Sequence, residues 1–464
     1  MSDEHASPEP SDEHRFSVHP ELAAQIFEAI DRGDVVATHR LVAPLAAPDQ
    51  AELFEQLSHD ERHFLTSALA ADFDSETLAE LSPEAMGDVM EALGTEKSAE
   101  VLSELETDDA VHILEDLAPA DQLELLEGMP LDMREEVEES LTYAPESAGR
   151  LMRKALVAVP EFWHVGDTID FLRAQDTLPE YFYVIYTVNG NFVPTGRVLL
   201  GTILGNKRDT PLEQIRQTNI YAVSTETDQE EVAFLFRKYA LVEAPVINHE
   251  GTLVGTITVD DVVDVIAEEE EEDYLRAGGV ANSDFNLGIW ETTRARFWWL
   301  FVNLLTAVLA AMVIGLFEGT IEQVVALAAI SPMVASMGGN TGTQTVTVAV
   351  RAIATRQLTE ANARYYIMKE MLIGLLNGLG LGIIMGAGVL VKFGNAKIAL
   401  VMLLANAFTM TMAGLWGAII PIFLHKRGFD PAISSTIFLT TVTDCVGFFS
   451  FLGLATLILL GLHH

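Results

Sequence analysis

The sequence contains very little cysteine and few basic residues. Its one cysteine, Cys445, excludes a disulfide within the chain and argues against a metal site built from thiolates. Only 27 lysines and arginines stand against 68 aspartates and glutamates, which gives a net charge of −41. Such a charge disfavours binding to nucleic-acid phosphates and favours cations as partners. A salt-adapted acidic surface is an alternative explanation for the acidity.

The N-terminus also lacks an apolar core. Its first residues, MSDEHASPEPSDEHR, are polar and acidic, so the sequence predicts no cleaved signal peptide. Because a segment of this composition has little apolar surface to bury, we expect residues 1–19 to form a disordered acidic tail.

The charge and the long apolar runs divide the chain into two parts. Before residue 294 there are 62 acids and 17 bases, whereas from that residue onward there are 6 acids and 10 bases. Apolar runs near the roughly 20 residues that a helix needs to cross a bilayer occur only in the second part. The predicted spans are about 297–317, 324–350, 366–391, 397–424 and 433–462. The sequence therefore predicts an acidic soluble region followed by an all-α transmembrane domain of five helices.

Basic residues fix the predicted orientation, because positively charged loops remain on the cytoplasmic side of a membrane. They are Arg294 and Arg296 before the first span, Arg351, Arg356, Arg364 and Lys369 between the second and third, and Lys426 and Arg427 between the fourth and fifth. All of these loops can share one side. We therefore expect a multi-pass protein of the cell (inner) membrane with its N-terminal domains in the cytosol.

Residues 20–147 have the pattern of a helical array. Short segments with leucine and valine three and four residues apart alternate with turn signals such as Ser-Pro-Glu and Thr-Asp-Asp. Ser82, before Pro83, is a predicted helix N-cap. The pattern predicts an all-α N domain of stacked short helices, similar to a solenoid.

Residues 148–267 contain two copies of one α/β unit. A strand, a turn and a second strand occur at 181–204 and again, with a following helix, at 244–266. This arrangement resembles a pair of CBS domains, which commonly bind nucleotides or metals. The resemblance implies that Thr258 and Asp261 of the second copy could hold the phosphate and ribose of ATP, whereas the first copy lacks the acid. A purely structural pair is the alternative.

An acidic run follows the second copy. If its helix continues, several acids lie three and four residues apart, where like charges repel. These acids are Asp261, Asp264, Glu268, Glu269, Glu272 and Asp273. A divalent cation would remove the repulsion, and Mg²⁺ suits carboxylate ligands. A solvated charged face leading into the membrane is the alternative.

One carboxylate, Asp444, lies inside the apolar run FLTTVTDCVGFFSF. An ionised carboxylate at membrane depth costs a few kcal/mol, so it normally faces a partner or a water-filled path. The bases within the predicted ranges, Lys369 and Lys397, lie near span ends, so none is placed at membrane depth to pair with it. A structural aspartate hydrogen-bonded to Thr440 or Thr441 is the alternative.

The second span is rich in small and polar residues. Asn340 and Gln344, one helical turn apart, could present oxygens to one lumen. Pro332 and the neighbouring glycines predict a local break in the helix, which is tolerated where backbone lines a cavity. Carboxylate and amide oxygens without thiolate or imidazole suit a hard cation such as Mg²⁺.

Two motifs connect these observations. The second span carries Pro332, Gly338, Gly339, Asn340, Gly342 and Gln344, and the fifth carries Thr440, Thr441, Asp444 and Gly447. With the order of domains, they make the chain similar to the MgtE family of magnesium channels and transporters over nearly its whole length after the tail. Thr343 stands where the family more commonly has asparagine.

The resemblance implies a homodimer that conducts Mg²⁺ passively through a pore at the subunit interface, with Mg²⁺ also acting as regulator. The implied pore residues are Asp444, Asn340, Gly339 and Gln344. Cytosolic Mg²⁺ would close the pore by bridging the N domain, the CBS pair and a connecting (plug) helix, about 268–293. The implied sensing residues are Asp108, Asp109, Asp261, Asp264, Glu269, Glu272 and Asp273. His112 replaces an acid of the N-domain segment, so we expect a weaker response there.

Other functions remain as alternatives. A CBS-regulated transporter could carry Co²⁺, Mn²⁺ or an anion, and a Mg²⁺ sensor need not conduct. An enzyme is disfavoured, since the spans contain no paired carboxylates, nucleophile elbow or phosphate-binding glycine loop.

Overall fold

The computed structural model describes residues 18–115, 117–175, 178–179, 182–278, 289–429 and 431–461. It consists of two compact units, Met1–Ile266 and Ala267–His464. Residues 1–17 of the predicted acidic tail lie outside the described residues. The last residue of that prediction, His19, is the N-cap of the first helix.

The first unit begins with ten short helices, which confirms the predicted all-α array. They are α1 Pro20–Asp31, α2 Val35–Val42, α3 Ala47–Glu55, α4 His59–Leu69, α5 Ser75–Ala79, α6 Pro83–Leu93, α7 Thr95–Leu102, α8 Thr107–Glu115, α9 Pro119–Gly128 and α10 Leu131–Ser140. One continuous apolar core runs through them, from Ile26 to Val137. The predicted cap is present, since the Ser82 hydroxyl accepts a hydrogen bond from the Ala85 amide.

The rest of the first unit contains two small sheets of the same topology. Its elements are α11 Ala148–Leu151, β1 Ala158–Pro160, α12 Val165–Ala174, β2 Val184–Val188, β3 Pro194–Leu199, α13 Leu200–Gly205, α14 Leu212–Ile215, β4 Val223–Ser224, α15 Gln229–Tyr239, β5 Glu243–Ile247, β6 Leu253–Thr258 and α16 Val259–Ala277, whose end belongs to the second unit. In each sheet the middle strand pairs parallel with the first strand and antiparallel with the third. The predicted duplication is therefore confirmed.

A buried carboxylate joins the two copies. Glu243 on β5 accepts hydrogen bonds from the amides of Tyr183 and Val184, both at 3.1 Å. Tyr186 and Thr256 share a hydroxyl hydrogen bond of 2.9 Å across the same contact. Burial raises the pKa of Glu243, and these hydrogen bonds oppose the rise. These buried hydrogen bonds thus favour one arrangement of the two copies.

The second unit is helical. It contains the end of α16, then α17 Ile289–Gly315, α18 Glu318–Gln323, α19 Ala326–Ala354, α20 Ala363–Phe393, α21 Ala396–Lys426, α22 Pro431–Ala455 and a π-helical turn Thr456–Leu460. Within the residues that the structure describes, four stretches are long and apolar enough to cross a membrane, namely Thr292–Gly315, Ala363–Phe393, Ala396–Lys426 and Ile437–Leu460. The 29-residue helix α19 has the length of a span but carries many polar residues. The count of five spans therefore stays a prediction.

A glycine stripe holds α20 against α21. Gly374, Gly378, Gly382 and Gly386 follow one another at four-residue spacing and are all buried. A Cβ atom at Gly374 would lie only 2.3 Å from the carbonyl oxygen of Met410. The two backbones therefore approach each other directly, as small residues permit in membrane helices. Glycine at every fourth residue is visible in the sequence and indicates such a contact, but the prediction of the membrane spans does not depend on it.

We expect Gly374→Val to lower the stability of the second unit by about 1–3 kcal/mol, because the added side chain overlaps the α21 backbone. Gly380→Val is the matched control, since a Cβ atom there meets nothing within 4 Å. Thermal unfolding of the purified protein in detergent measures both. Equal midpoints for the two variants would show that the close contact is not what holds α20 to α21.

Candidate cation sites

The first candidate site is organised by Arg153, which lies between α11 and β1. Its amide donates to the carbonyl of Thr256 at 2.8 Å, and the Thr256 amide donates back at 3.0 Å. This pairing with β6 fixes the backbone of Arg153 beside the start of α16. The side chain, only 10% exposed, extends from there towards the first turn of α8.

The Arg153 guanidinium lies among four carboxylates. Its Nε donates to Asp108 at 3.1 Å, and its Nη2 donates to Asp260 at 3.1 Å. It also forms ion pairs with Glu106 and Asp261. Burial alone would lower the pKa of this guanidinium, but Asp108 and Asp261 outweigh it and raise the pKa. One cation thus connects the N domain with the second α/β copy.

The cation does not compensate all of the acids around it. Burial, followed by the charge of Asp261, raises the pKa of Asp108 well above its usual range. The same two causes raise the pKa of Asp109 to about 6. One buried oxygen of Asp108, Oδ1, has no hydrogen-bond partner within the described part of the chain. Negative charge therefore remains in excess at the first turn of α8.

Other carboxylates near this cluster also have raised pKa values. Burial and the nearby charge of Asp261 raise the pKa of Asp264 on α16, and His112 offsets this only in part. Burial and the charge of Asp264 raise the pKa of Glu80, which follows α5. Asp109, Asp264 and Glu80 belong to three different segments of the first unit. Opposed, partly dehydrated carboxylates of this kind are a setting in which a divalent cation removes repulsion.

The predicted nucleotide residues contact each other. The Thr258 hydroxyl donates to Asp261 Oδ2 at 2.7 Å, and Thr258 is only 2% exposed. Asp261 is also paired with Arg153. Both side chains are therefore engaged within the protein, and their role in nucleotide binding stays a prediction.

The acidic run continues in one helix. Asp261, Asp264 and the following acids all belong to α16, so the predicted continuation of the helix is correct. Glu272 pairs with Arg276 one turn later. The side chain of Asp273 lies outside the described part of the structure, as do residues 279–288 of the predicted connecting helix. Of the segment 268–293, the described residues 268–277 belong to α16 and 289–293 to α17.

The second candidate site is on α22 in the second unit, which we call the membrane unit because it contains the long apolar helices. Asp444 is half-buried there. The Thr441 hydroxyl donates to the carbonyl of Ile437 at 2.8 Å rather than to the carboxylate. Among the described residues, no hydrogen bond or ion pair is formed by Asp444. A carboxylate in this environment is available for an external ligand.

The two motif helices, α19 and α22, pack against each other. A Cβ atom at Gly342 would lie 2.8 Å from the Leu439 side chain, and one at Gly447 would lie 3.6 Å from the backbone of Ala335. The helix α19 is continuous from Ala326 to Ala354, so the predicted break at Pro332 is wrong. Its buried glycines serve this close packing, and the helix does not unwind.

The other predicted pore residues lie on the opposite side of α19. Asn340 and Gln344 are exposed, one helical turn apart, and Gly339 is partly exposed with open space beside it. Because α19 packs against the helix that carries Asp444, the structure brings the two motifs to neighbouring helices. Amide and carboxylate oxygens are ligands suited to hard cations.

Comparisons with known proteins match three regions of the chain. The family described as divalent cation transporter (MgtE) matches residues 331–454, the MgtE intracellular N domain matches 45–146, and the CBS domain matches 212–268. The magnesium transporter MgtE of Thermus thermophilus is 35% identical over 332 residues, which cover 70% of this chain and 73% of the relative. That of Bacillus subtilis is 29% identical over 321 residues, covering 69% and 71%.

A solved structure, the cytosolic domain of the Mg²⁺ channel MgtE in complex with ATP, is 32% identical with a TM-score of 0.49. The match covers 52% of this chain and 99% of the chain in that structure.

We expect Arg153→Ala to destabilise the first unit by about 3–5 kcal/mol, because it leaves Asp108 and Asp261 buried without their countercharge. Arg208→Ala, which removes an exposed pair with Asp170, is the matched control and should have a far smaller effect. Urea unfolding of the full-length protein measures both. If the urea midpoint of Arg153→Ala equalled that of the control, Arg153 would have no structural role of this kind.

Proposed function

Because the chain belongs to the MgtE family of magnesium transporters, we propose that it conducts Mg²⁺ passively into the cell and that cytosolic Mg²⁺ closes the path. The chain is a multi-pass membrane transporter rather than an enzyme, with an acidic N-terminal region in the cytosol. The channel mechanism, the ion pathway and the gating are the parts that we propose.

The pore proposal depends on one observation, the carboxylate of Asp444 without a protein partner among the described residues. Mg²⁺ releases its water reluctantly, so it would bind there through water molecules. One carboxylate neutralises half of its charge. We therefore propose a homodimer in which Asp444 of each subunit faces a shared path. Asn340 and Gln344, whose side chains are exposed, and Gly339 would line this path along α19.

We expect Asp444→Ala to abolish Mg²⁺ influx into proteoliposomes that contain a Mg²⁺-sensitive dye, with little Mg²⁺ on the cytosolic side. Glu322→Ala is the control, because it removes an exposed carboxylate outside the long helices. Its influx should match that of the unmodified protein.

Equal influx through Asp444→Ala and the control would make Asp444 structural and direct attention to Asn340. No influx through any folded protein would favour the alternative of a Mg²⁺ sensor that does not conduct. Repeating the assay with Co²⁺ and Mn²⁺ separates a Mg²⁺ path from a general divalent-cation path.

For gating, we propose that Mg²⁺ binds the acids that Arg153 leaves uncompensated. Asp109, Asp264 and Glu80 carry raised pKa values because they are buried near other carboxylates. Mg²⁺ between them would remove this repulsion and keep the N domain against the CBS pair. Further acids of α16, Glu269, Glu272 and Asp273, would add to the response. Asp108 and Asp261 would act mainly through their pairs with Arg153.

Mg²⁺ is a better candidate than a nucleotide for the regulator of this contact. ATP at the second CBS copy would need Asp261, and Asp261 is paired with Arg153 and hydrogen-bonded to Thr258. Binding of ATP there would therefore compete with the contact between the N domain and the CBS pair. We propose that ATP, where it binds, opposes the action of Mg²⁺.

The raised pKa of Asp109 predicts a pH dependence. The docked arrangement raises this pKa to about 6, so protons bind the docked form more tightly than the separated form. Proton-dependent docking is present at low pH and is lost as the pH rises through 6. We therefore expect the N domain to require Mg²⁺ for protection from proteases above pH 6 and to require less of it below.

Limited proteolysis of the full-length protein, titrated with Mg²⁺ on either side of pH 6, measures this dependence. Asp109→Asn removes both the repulsion and one proposed Mg²⁺ ligand, so it should give more protection without Mg²⁺ above pH 6, reduce the gain from added Mg²⁺ and flatten the pH profile. Asp121→Asn, at an exposed position of the same domain, is the control. An unchanged profile in Asp109→Asn would assign the pH dependence to another group.

A further inference from the structure

A cluster of imidazole and carboxylate ligands lies on the N domain, between α4 and α6. His59 and His63 are four residues apart on α4, so their side chains share one face of the helix. Glu91 lies on α6. One ring nitrogen of each histidine and one carboxylate oxygen of Glu91 lie within 4.8 Å of one another. The two rings are 4.5 Å apart, measured between their centroids.

The orientation of His59 is fixed by a second layer of contacts. Its Nδ1 lies 2.7 Å from Asp88 Oδ1, which leaves Nε2 as the nitrogen available to an external ligand. Asp88 Oδ2 in turn accepts a hydrogen bond of 3.0 Å from the buried side chain of Arg62. Arg62 also donates to the carbonyl of Phe54 at 2.9 Å. Histidines that bind metals are commonly held by a carboxylate in this way.

His63 carries a second indication. Its Nε2 is buried and has no hydrogen-bond partner among the residues that the structure describes. Buried side-chain polar atoms are nearly always paired, so this nitrogen requires an explanation. A bond to a metal ion is one that also accounts for the neighbouring His59 ring and the Glu91 carboxylate.

We propose that His59, His63 and Glu91 form a transition-metal site, separate from the acids that respond to Mg²⁺. Two imidazoles and one carboxylate suit Zn²⁺ and Co²⁺, whereas Mg²⁺ prefers oxygen ligands alone. In a tetrahedral zinc site the ligand atoms lie about 3.4 Å apart, so the side chains would move together by about 1 Å. Water would complete the coordination. The bound ion would link α4 to α6.

Cobalt titration of the full-length protein in detergent tests the proposal, because imidazole-bound Co²⁺ absorbs visible light. Excess Mg²⁺ occupies the oxygen sites, and a mildly alkaline pH keeps His59 neutral, since Asp88 raises its pKa. We expect one Co²⁺ bound per chain in this way, with Zn²⁺ displacing it. His63→Ala should weaken binding at least tenfold.

Glu91→Gln is a second variant for the case in which His63→Ala fails to fold, because Glu91 is exposed. It should also weaken Co²⁺ binding. His39→Ala is the matched control, since His39 lies 2.9 Å from Asp72 but belongs to no such cluster within the described chain. No Co²⁺ signal in the unmodified protein, or a signal that persists in Glu91→Gln and His63→Ala, would overturn the proposal. Displacement of Co²⁺ by Mg²⁺ alone would also overturn it.

Discussion

In the first unit, one buried arginine neutralises only part of the negative charge of the carboxylates around it. Arg153 is held by β6 and connects the first turn of α8 with the start of α16, so one guanidinium serves four carboxylates. Without it, dehydrated acids on facing segments would repel one another. With it, Asp109, Asp264 and Glu80 still carry raised pKa values, chiefly because they are buried. Under the proposed gating, a contact that is only partly neutralised in this way would respond to changes in Mg²⁺ concentration, whereas a fully neutralised contact would not.

A different constraint shapes the membrane unit. Lipid provides no hydrophobic drive for its helices to associate, so small residues and hydrogen bonds between helices specify their packing. Glycines allow the close approach of α20 to α21 and of α19 to α22. This packing leaves the polar residues of α19 exposed on its other side and places α19 beside the helix that carries Asp444. Close backbone approach and the position of the motif residues therefore have the same cause.

The domain order, the helical array and the duplicated α/β unit could all be predicted, because each follows from short-range patterns. The Arg153 site could not, since Arg153 is 45 residues from Asp108 and 108 residues from Asp261. The His59 cluster was missed although the two histidines have helical spacing, because its third ligand comes from another helix. The break predicted at Pro332 failed for a related reason. Proline and glycine often break isolated helices, but the glycines of α19 are held in a continuous helix by contacts with α21 and α22.

The glycine stripe of α20 has a mechanical consequence. The four glycines of this stripe lie against the backbone of α21, from Gly374 at Met410 to Gly386 at Ala399. Two helices in backbone contact over that length cannot easily move relative to each other, so we expect them to move as one rigid body. The contacts of α19 with α22 combine the side chain of Leu439 at Gly342 with the approach of Gly447 to the backbone of Ala335. Any widening of the proposed ion path would therefore occur at contacts other than the one between α20 and α21.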